Sequence, residues 1–154
     1  MAVSFFDGSF TTVRIESAAA YSGIFQFSET TASLVSVSDK YWQSKGLNAE
    51  RIRILVEISK QGGTISPSTL AHNIGVTKGN ISLLLIPLEK EGWITRWTHT
   101  QDGRKSVISI TGEGQRLLLE HLPGNRQVVA ERMQGLDEQE LRQLIILLEK
   151  LSNG

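Results

Sequence analysis

Between His99 and Ser106 the chain carries a histidine, an acid (Asp102) and a hydroxyl, the residue types of a nucleophilic triad. The same segment reads Asp102-Gly103-Arg104-Lys105, a turn sequence bearing two cations. A second polar run, Lys78-Gly79-Asn80-Ile81-Ser82, lies upstream. Catalysis needs a cleft that excludes water and donors for a developing charge, and an exposed turn supplies neither. The chain has no phosphate-binding loop and no His-Glu-x-x-His, so no catalytic residue is expected and the protein is expected not to be an enzyme. The chemistry left to these runs is recognition. Lysine and serine contact phosphates or bases, asparagine pairs with adenine edges, and an arginine on a turn reaches a narrow minor groove.

Elements must hold these groups in place. Residues 1–22 mix polar and aromatic positions (Phe5, Phe6, Phe10) without a sustained period, and no element is assigned there. Ala18-Ala19-Ala20 imitates a signal cleavage site, but no early Lys or Arg precedes it, and Asp7, Arg14 and Glu16 interrupt any apolar run. From about Ile24 to Ser44, Phe27, Thr31, Leu34, Val37 or Ser38, and Tyr41 recur at three and four, which predicts an amphipathic helix stopped by Gly46. Asn48 is placed to cap a second helix with an inner stripe of Ile52, Leu55, Val56 and Ser59, ending at Gly62-Gly63. Ser66 opens a third with Pro67 at its first position, and Leu70, Ala71 and Ile74 face inward. Gly75-Val76 makes a tight turn. Thr77 then caps a fourth helix to about Glu91 that buries Ile81, Leu84, Leu85 and Leu88.

After Gly92 the period becomes extended. Trp93–His99 and Ser106–Thr111 predict a two-stranded hairpin with Asp102-Gly103 in its turn. A long helix follows over about Gly112–Met133, which Pro123-Gly124 bends or interrupts. Asp137 caps the last helix with Glu140 reaching back, and Leu141, Leu144, Ile145, Leu148 and Leu151 form its stripe. The fold class is therefore mainly α with a small β-hairpin wing. A winged helix-turn-helix occupies residues 47–111, flanked by helices over 23–46 and 112–154 and preceded by an extension over 1–22. The DNA-facing set is Ser66, Thr77, Lys78, Gly79, Asn80 and Ser82 from the helices, with Asp102, Arg104 and Lys105 from the wing. Asp102 orients the Arg104 guanidinium.

The whole-chain numbers agree without naming a partner. The 154 residues carry sixteen bases and sixteen acids, are 40% hydrophobic and 21% charged, and suffice for one domain that buries about two-thirds of its unfolded surface. Charge is uneven, at −1 over residues 1–59, +3 over 60–110 and −2 over 111–154, and polyanions respond to the local potential. There is no cysteine, which excludes disulfides, thiol catalysis and thiol redox sensing. His72, His99 and His121 are scattered singly, so no metal and no other cofactor is expected. No window is apolar enough to span a membrane, and a cytoplasmic protein is expected.

The stretch Leu70-Ala71-His72-Asn73-Ile74-Gly75-Val76, with Ile81-Ser82 and Leu88-Glu89-Lys90-Glu91-Gly92-Trp93-Ile94, resembles the MarR family of bacterial regulators. Arg96, Asp102-Gly103-Arg104 and Ile110-Thr111-Gly112-Glu113-Gly114 extend the likeness, which covers about residues 30–152. The resemblance implies a homodimer whose N- and C-terminal helices, here 23–46 and 112–154, form the interface. It further implies two winged domains that read a pseudo-palindrome in double-stranded DNA, and ligand-controlled repression in a bacterial or archaeal cytoplasm. A small organic effector would sit between the dimer helices and the winged domain, with Tyr41, Trp42, Arg51 and His121 as lining residues.

Two departures from the family pattern stand out. Leu83 occupies a usual basic position, and Ile86-Pro87 replaces a polar pair. Pro87 removes the bond to the Leu83 carbonyl, at about 3 kcal/mol in a helix interior. DNA affinity then leans on Lys78, Arg104 and Lys105, and Leu83 either touches a thymine methyl or packs on protein. The same residues motivate an alternative, a winged-helix protein-interaction module without DNA binding.

Overall fold

The computed structural model describes residues 15–98 and 106–153. In chain order its elements are α1 (Ile15–Ser44), α2 (Ala49–Lys60), β1 (Thr64–Ile65), α3 (Pro67–Ile74), α4 (Lys78–Lys90), β2 (Ile94–Thr98), β3 (Ser106–Ile110), α5 (Gly112–Arg132) and α6 (Glu138–Ser152). The chain divides at Ser36–Val37 into two compact units. The first contributes only helix in its described part, and the second, from Val37, holds every element after α1.

Helix starts follow local chemistry. Asn48, Ser66, Thr77, Thr111 and Asp137 each stand at an N-cap, and each side chain accepts the amide hydrogen bond of the residue three positions on. These oxygens satisfy amides that have no partner within the helix. At α6 the box is complete, because the Asp137 amide also donates to Glu140 Oε2 at 2.8 Å. Gly75 ends α3 at φ +75°, where a β-carbon would be strained, and lets α4 start three residues later.

The core lies where α2 meets α3, β1, β3 and α5, and where α4 meets α3 and β2. Leu55, Ile58, Leu70, Leu85, Leu88 and Ile108 are fully enclosed there. The sheet order is β1-β3-β2, all antiparallel. Ile94 pairs with Ile110, and Thr98 with Ser106.

Four expectations are corrected. The first helix begins at Ile15 instead of Ile24, so Ala18-Ala19-Ala20 are helical, as the high helix propensity of alanine favours. The wing is part of a three-stranded sheet, since β1 adds Thr64 opposite Ser109 and Ile65 opposite Ile108. In α2 the buried set is Ile52, Ile54, Leu55 and Ile58, while Ser59 is exposed and Val56 only half-buried. That helix is enclosed by elements on more than one side, which widens its buried arc and favours the isoleucines. Finally, neither internal proline interrupts its helix. Pro87 and Pro123 deprive the carbonyls of Leu83 and Leu119 of their partners, and those two residues are 67% and 76% exposed, so water can replace the lost donor.

Candidate nucleic-acid interface

The N-terminal turn of α4 is fully on the surface, with Thr77, Lys78, Gly79, Asn80 and Ser82 all exposed. Beneath it Ile81 is 1% exposed and anchors the turn to the core. Thr77 Oγ1 accepts from the Asn80 amide at 3.3 Å, which fixes the first turn. No ion pair or hydrogen bond to another described residue engages the Lys78 or Asn80 side chains. Ser66 performs the same capping role one helix earlier, accepting from the Thr69 amide at 3.1 Å, with its hydroxyl 3.1 Å from that of Ser68.

The starts of α3, α4 and β3 converge on one surface cleft of about 460 Å³. Ser66, Ser68, Lys78, Ser82, Ser106 and Val107 are among its walls. Hydroxyls around one ammonium are the donor set that phosphate oxygens require. Sequence reasoning named Ser66, Lys78 and Ser82 but missed Ser68 and Ser106 as members of this group. Ser68 was open to discovery as a second hydroxyl in the first turn of α3. Ser106 was not, because only tertiary packing brings the start of β3 to this cleft. Asp102, Arg104, Lys105 and His99 lie outside the described residues.

On the next strand Arg96 is committed to protein. Its Nε donates to Glu89 Oε1 at 3.1 Å and its Nη2 to Oε2 at 2.5 Å, a two-point clamp between β2 and α4.

Residues 47–106 match the MarR family profile. The HTH-type transcriptional repressor YetL of Bacillus subtilis (strain 168) is 32% identical over 121 residues, covering 75% of this chain and 72% of that protein. The chain belongs to the MarR family. The transcriptional repressor MprA of Escherichia coli (strain K12) is 27% identical, covering 78% of this chain and 69% of its own. Among solved structures, a crystal structure of an S. aureus MepR–DNA complex shares the fold at TM-score 0.71 and 21% identity, covering 84% of this chain and 95% of that one. As a MarR-family winged helix-turn-helix protein it is a DNA-binding transcriptional regulator and not an enzyme. The matched segment runs from the residue before Asn48 to the first residue of β3 and so contains most of the cleft. Among the described residues, no helix is long and apolar enough to cross a membrane.

Of the four residues expected around an effector, Trp42, Tyr41 and His121 are linked by direct contacts. Trp42 is 4% exposed, with its indole Nε1 donating to Ser38 Oγ at 3.2 Å. Tyr41 meets Trp42 edge to face at 5.2 Å, and its hydroxyl donates to the His121 carbonyl at 2.9 Å, so Tyr41 and His121 are brought together. Arg51 lies in the first turn of α2, its amide bonded to Asn48. A separate cavity of about 470 Å³ is walled by Trp42, Arg53, Glu57, Lys60, Asn73 and Asn125, among others. Of the expected four, only Trp42 reaches it. Among the described residues no His, Asp or Glu cluster could hold a metal.

In that cavity wall Asn73 Nδ2 donates to Glu57 Oε1 at 2.7 Å, tying α3 to α2. This bond, then those from Gln61 and Lys60, hold the Glu57 carboxyl below its ordinary range against the opposing effect of burial. A depressed carboxylate stabilises the fold above the unfolded-state pKa and loses that contribution as pH falls through the folded-state value. Glu57→Gln is therefore expected to lower Tm at pH 7 and to lose most of that deficit below the ordinary glutamate range. A deficit of equal size at both pH values would show that the carboxylate charge contributes nothing.

Proposed function

We propose that the protein is a homodimeric, ligand-responsive repressor that reads a pseudo-palindromic operator in double-stranded DNA, working in the cytoplasm. The observation that carries this reading is the cleft in which Lys78, unpaired among the described residues, stands among the hydroxyls of Ser66, Ser68, Ser82 and Ser106. Phosphate seated there places the exposed first turn of α4 at a major groove, where Asn80 and Ser82 meet base edges. Gly79 leaves the backbone uncovered, Thr77 holds the turn, and Arg104, steadied by Asp102 and joined by Lys105, works the adjoining minor groove.

Dimerisation is supported by α6, where Leu141, Leu144 and Leu148 are only half-buried and the other apolar residues lie open among the described residues. None of its residues is buried, and Ile145, Ile146, Leu147 and Leu151 are at least half exposed. Helices over 23–46 and 112–154 supply the interface, and residues 47–111 act as the DNA-binding domain. The 470 Å³ cavity has the size and mixed polarity for a small organic effector, with Trp42 as its aromatic wall. YetL and MprA are both named repressors, which supports the direction of control.

A fluorescence titration with labelled duplex from the region upstream of the protein's own gene, repeated across a salt series, tests this. Affinity is expected to fall steeply with salt as counterions are released. Lys78→Ala should weaken binding evenly across sequences and reduce the log–log salt slope by about one. Arg104→Ala should cost about 1–3 kcal/mol and relax preference at one position. Absence of any complex at low salt with all genomic fragments would overturn the reading and favour a protein-interaction module.

A further inference from the structure

We infer that Leu83 is a specificity-determining residue, and that it selects a thymine in each half-site through the 5-methyl group. This rests on the DNA-binding reading above and adds to it what the middle of α4 recognises.

Positions 79, 83 and 86 follow one another at helical spacing, opposite the buried Ile81, Leu85 and Leu88. Along this outward line Leu83 is 67% exposed and Ile86 43%. Gly79 presents no side chain, and packing does not demand its absence. A Cβ there would meet only Thr77 Oγ1, at 4.0 Å, and the backbone is not in the left-handed region. A glycine costs helix stability wherever nothing requires it, and close approach to a ligand is one thing that does. With Gly79 bare, a base pair can come against the first turn. The first side chain it then meets on this line, one turn further, is Leu83.

That side chain cannot hydrogen-bond. In the major groove every base edge offers donors or acceptors, and thymine alone adds an apolar methyl. Leucine over an amino group or a purine oxygen removes water and returns nothing, whereas over a methyl it buries apolar area on both sides. The flanks of this line are polar, with Lys78 and Ser82 to one side and Asn80 to the other, so the apolar spot is continuous with the proposed interface. Two side chains are also far too small for a protein partner, since a stable interface takes about 800 Å² from each side.

The test uses full-length protein and a duplex enriched by it from random DNA, resynthesised with deoxyuridine in place of thymine at one position at a time. Uracil keeps every hydrogen bond and lacks only the methyl. One thymine per half-site is expected to lose about fourfold in affinity on replacement, the value of one buried methyl. Leu83→Ala should bind the thymine duplex as wild type binds the uracil duplex, and should no longer distinguish the two. Ile86→Ala should retain the distinction. Both side chains are exposed, and an unchanged circular dichroism spectrum confirms that the variants fold. Uniform affinity across all uracil positions, or an undiminished preference in Leu83→Ala, overturns this inference and leaves the regulator standing. Enrichment of no duplex overturns both.

Discussion

The double substitution Ile145→Asp with Leu151→Asp is expected to leave the winged domain folded and to cut operator affinity by about 10²–10⁴-fold. Both residues lie on the apolar side of α6, at 55% and 75% exposed, so the subunit loses little packing of its own. Two carboxylates placed in a paired apolar surface would have to be desolvated without partners, which drives the subunits apart. The loss in DNA binding follows from geometry. In a dimer the second half-site is engaged from an already bound partner, and its effective concentration disappears when the partner does. Size-exclusion chromatography with light scattering should show the wild type at twice the 17.0 kDa chain mass and the variant at the chain mass. A wild type that runs as a monomer, or a variant that stays dimeric with unchanged affinity, would remove α6 from the interface.

The second large effect is on stability. Gly114, in the first turn of α5, is buried, and a Cβ there would fall well inside van der Waals contact with the Trp93 carbonyl oxygen. It would also lie 2.9 Å from Ile110 Cγ1. The carbonyl cannot swing aside, because it accepts the Thr111 amide at 2.9 Å. Thr111 in turn binds the Gly92 carbonyl through Oγ1 at 2.6 Å and accepts the Gly114 amide at 3.1 Å. One residue thus joins the turn before β2, the end of β3 and the start of α5, and Gly114→Ala forces that knot apart. A loss of about 1–3 kcal/mol is expected, read as a lower urea midpoint at unchanged slope. Gly112→Ala is the control, since a Cβ there meets nothing within 4 Å. Equal midpoints for the two variants would mean that the contact relaxes freely.

The two effects differ in how visible they were from sequence. The apolar spacing of α6 was plain in Leu141, Leu144, Ile145, Leu148 and Leu151, and the complete capping box at Asp137 and Glu140 bears out its start. The clash at Gly114 was not visible, since its partner, the Trp93 carbonyl, is 21 residues upstream and is brought beside it only by the pairing of β2 with β3.

Asn48, Ser66, Thr77 and Asp137 identified the starts of four helices from sequence alone, because a cap and the amide it satisfies lie three residues apart. The same short range made Gly75 readable as the turn between α3 and α4. Tertiary structure alone decided that Ser106 joins Lys78, that Thr64 and Ile65 form a strand, and that Ile58 instead of Ser59 enters the core. It also decided that Arg96 is held by Glu89 and that Leu83 stays in solvent. Each of these depends on atoms brought together by packing across elements, and a two-residue strand or a choice between adjacent helical positions leaves no period in the sequence to show it.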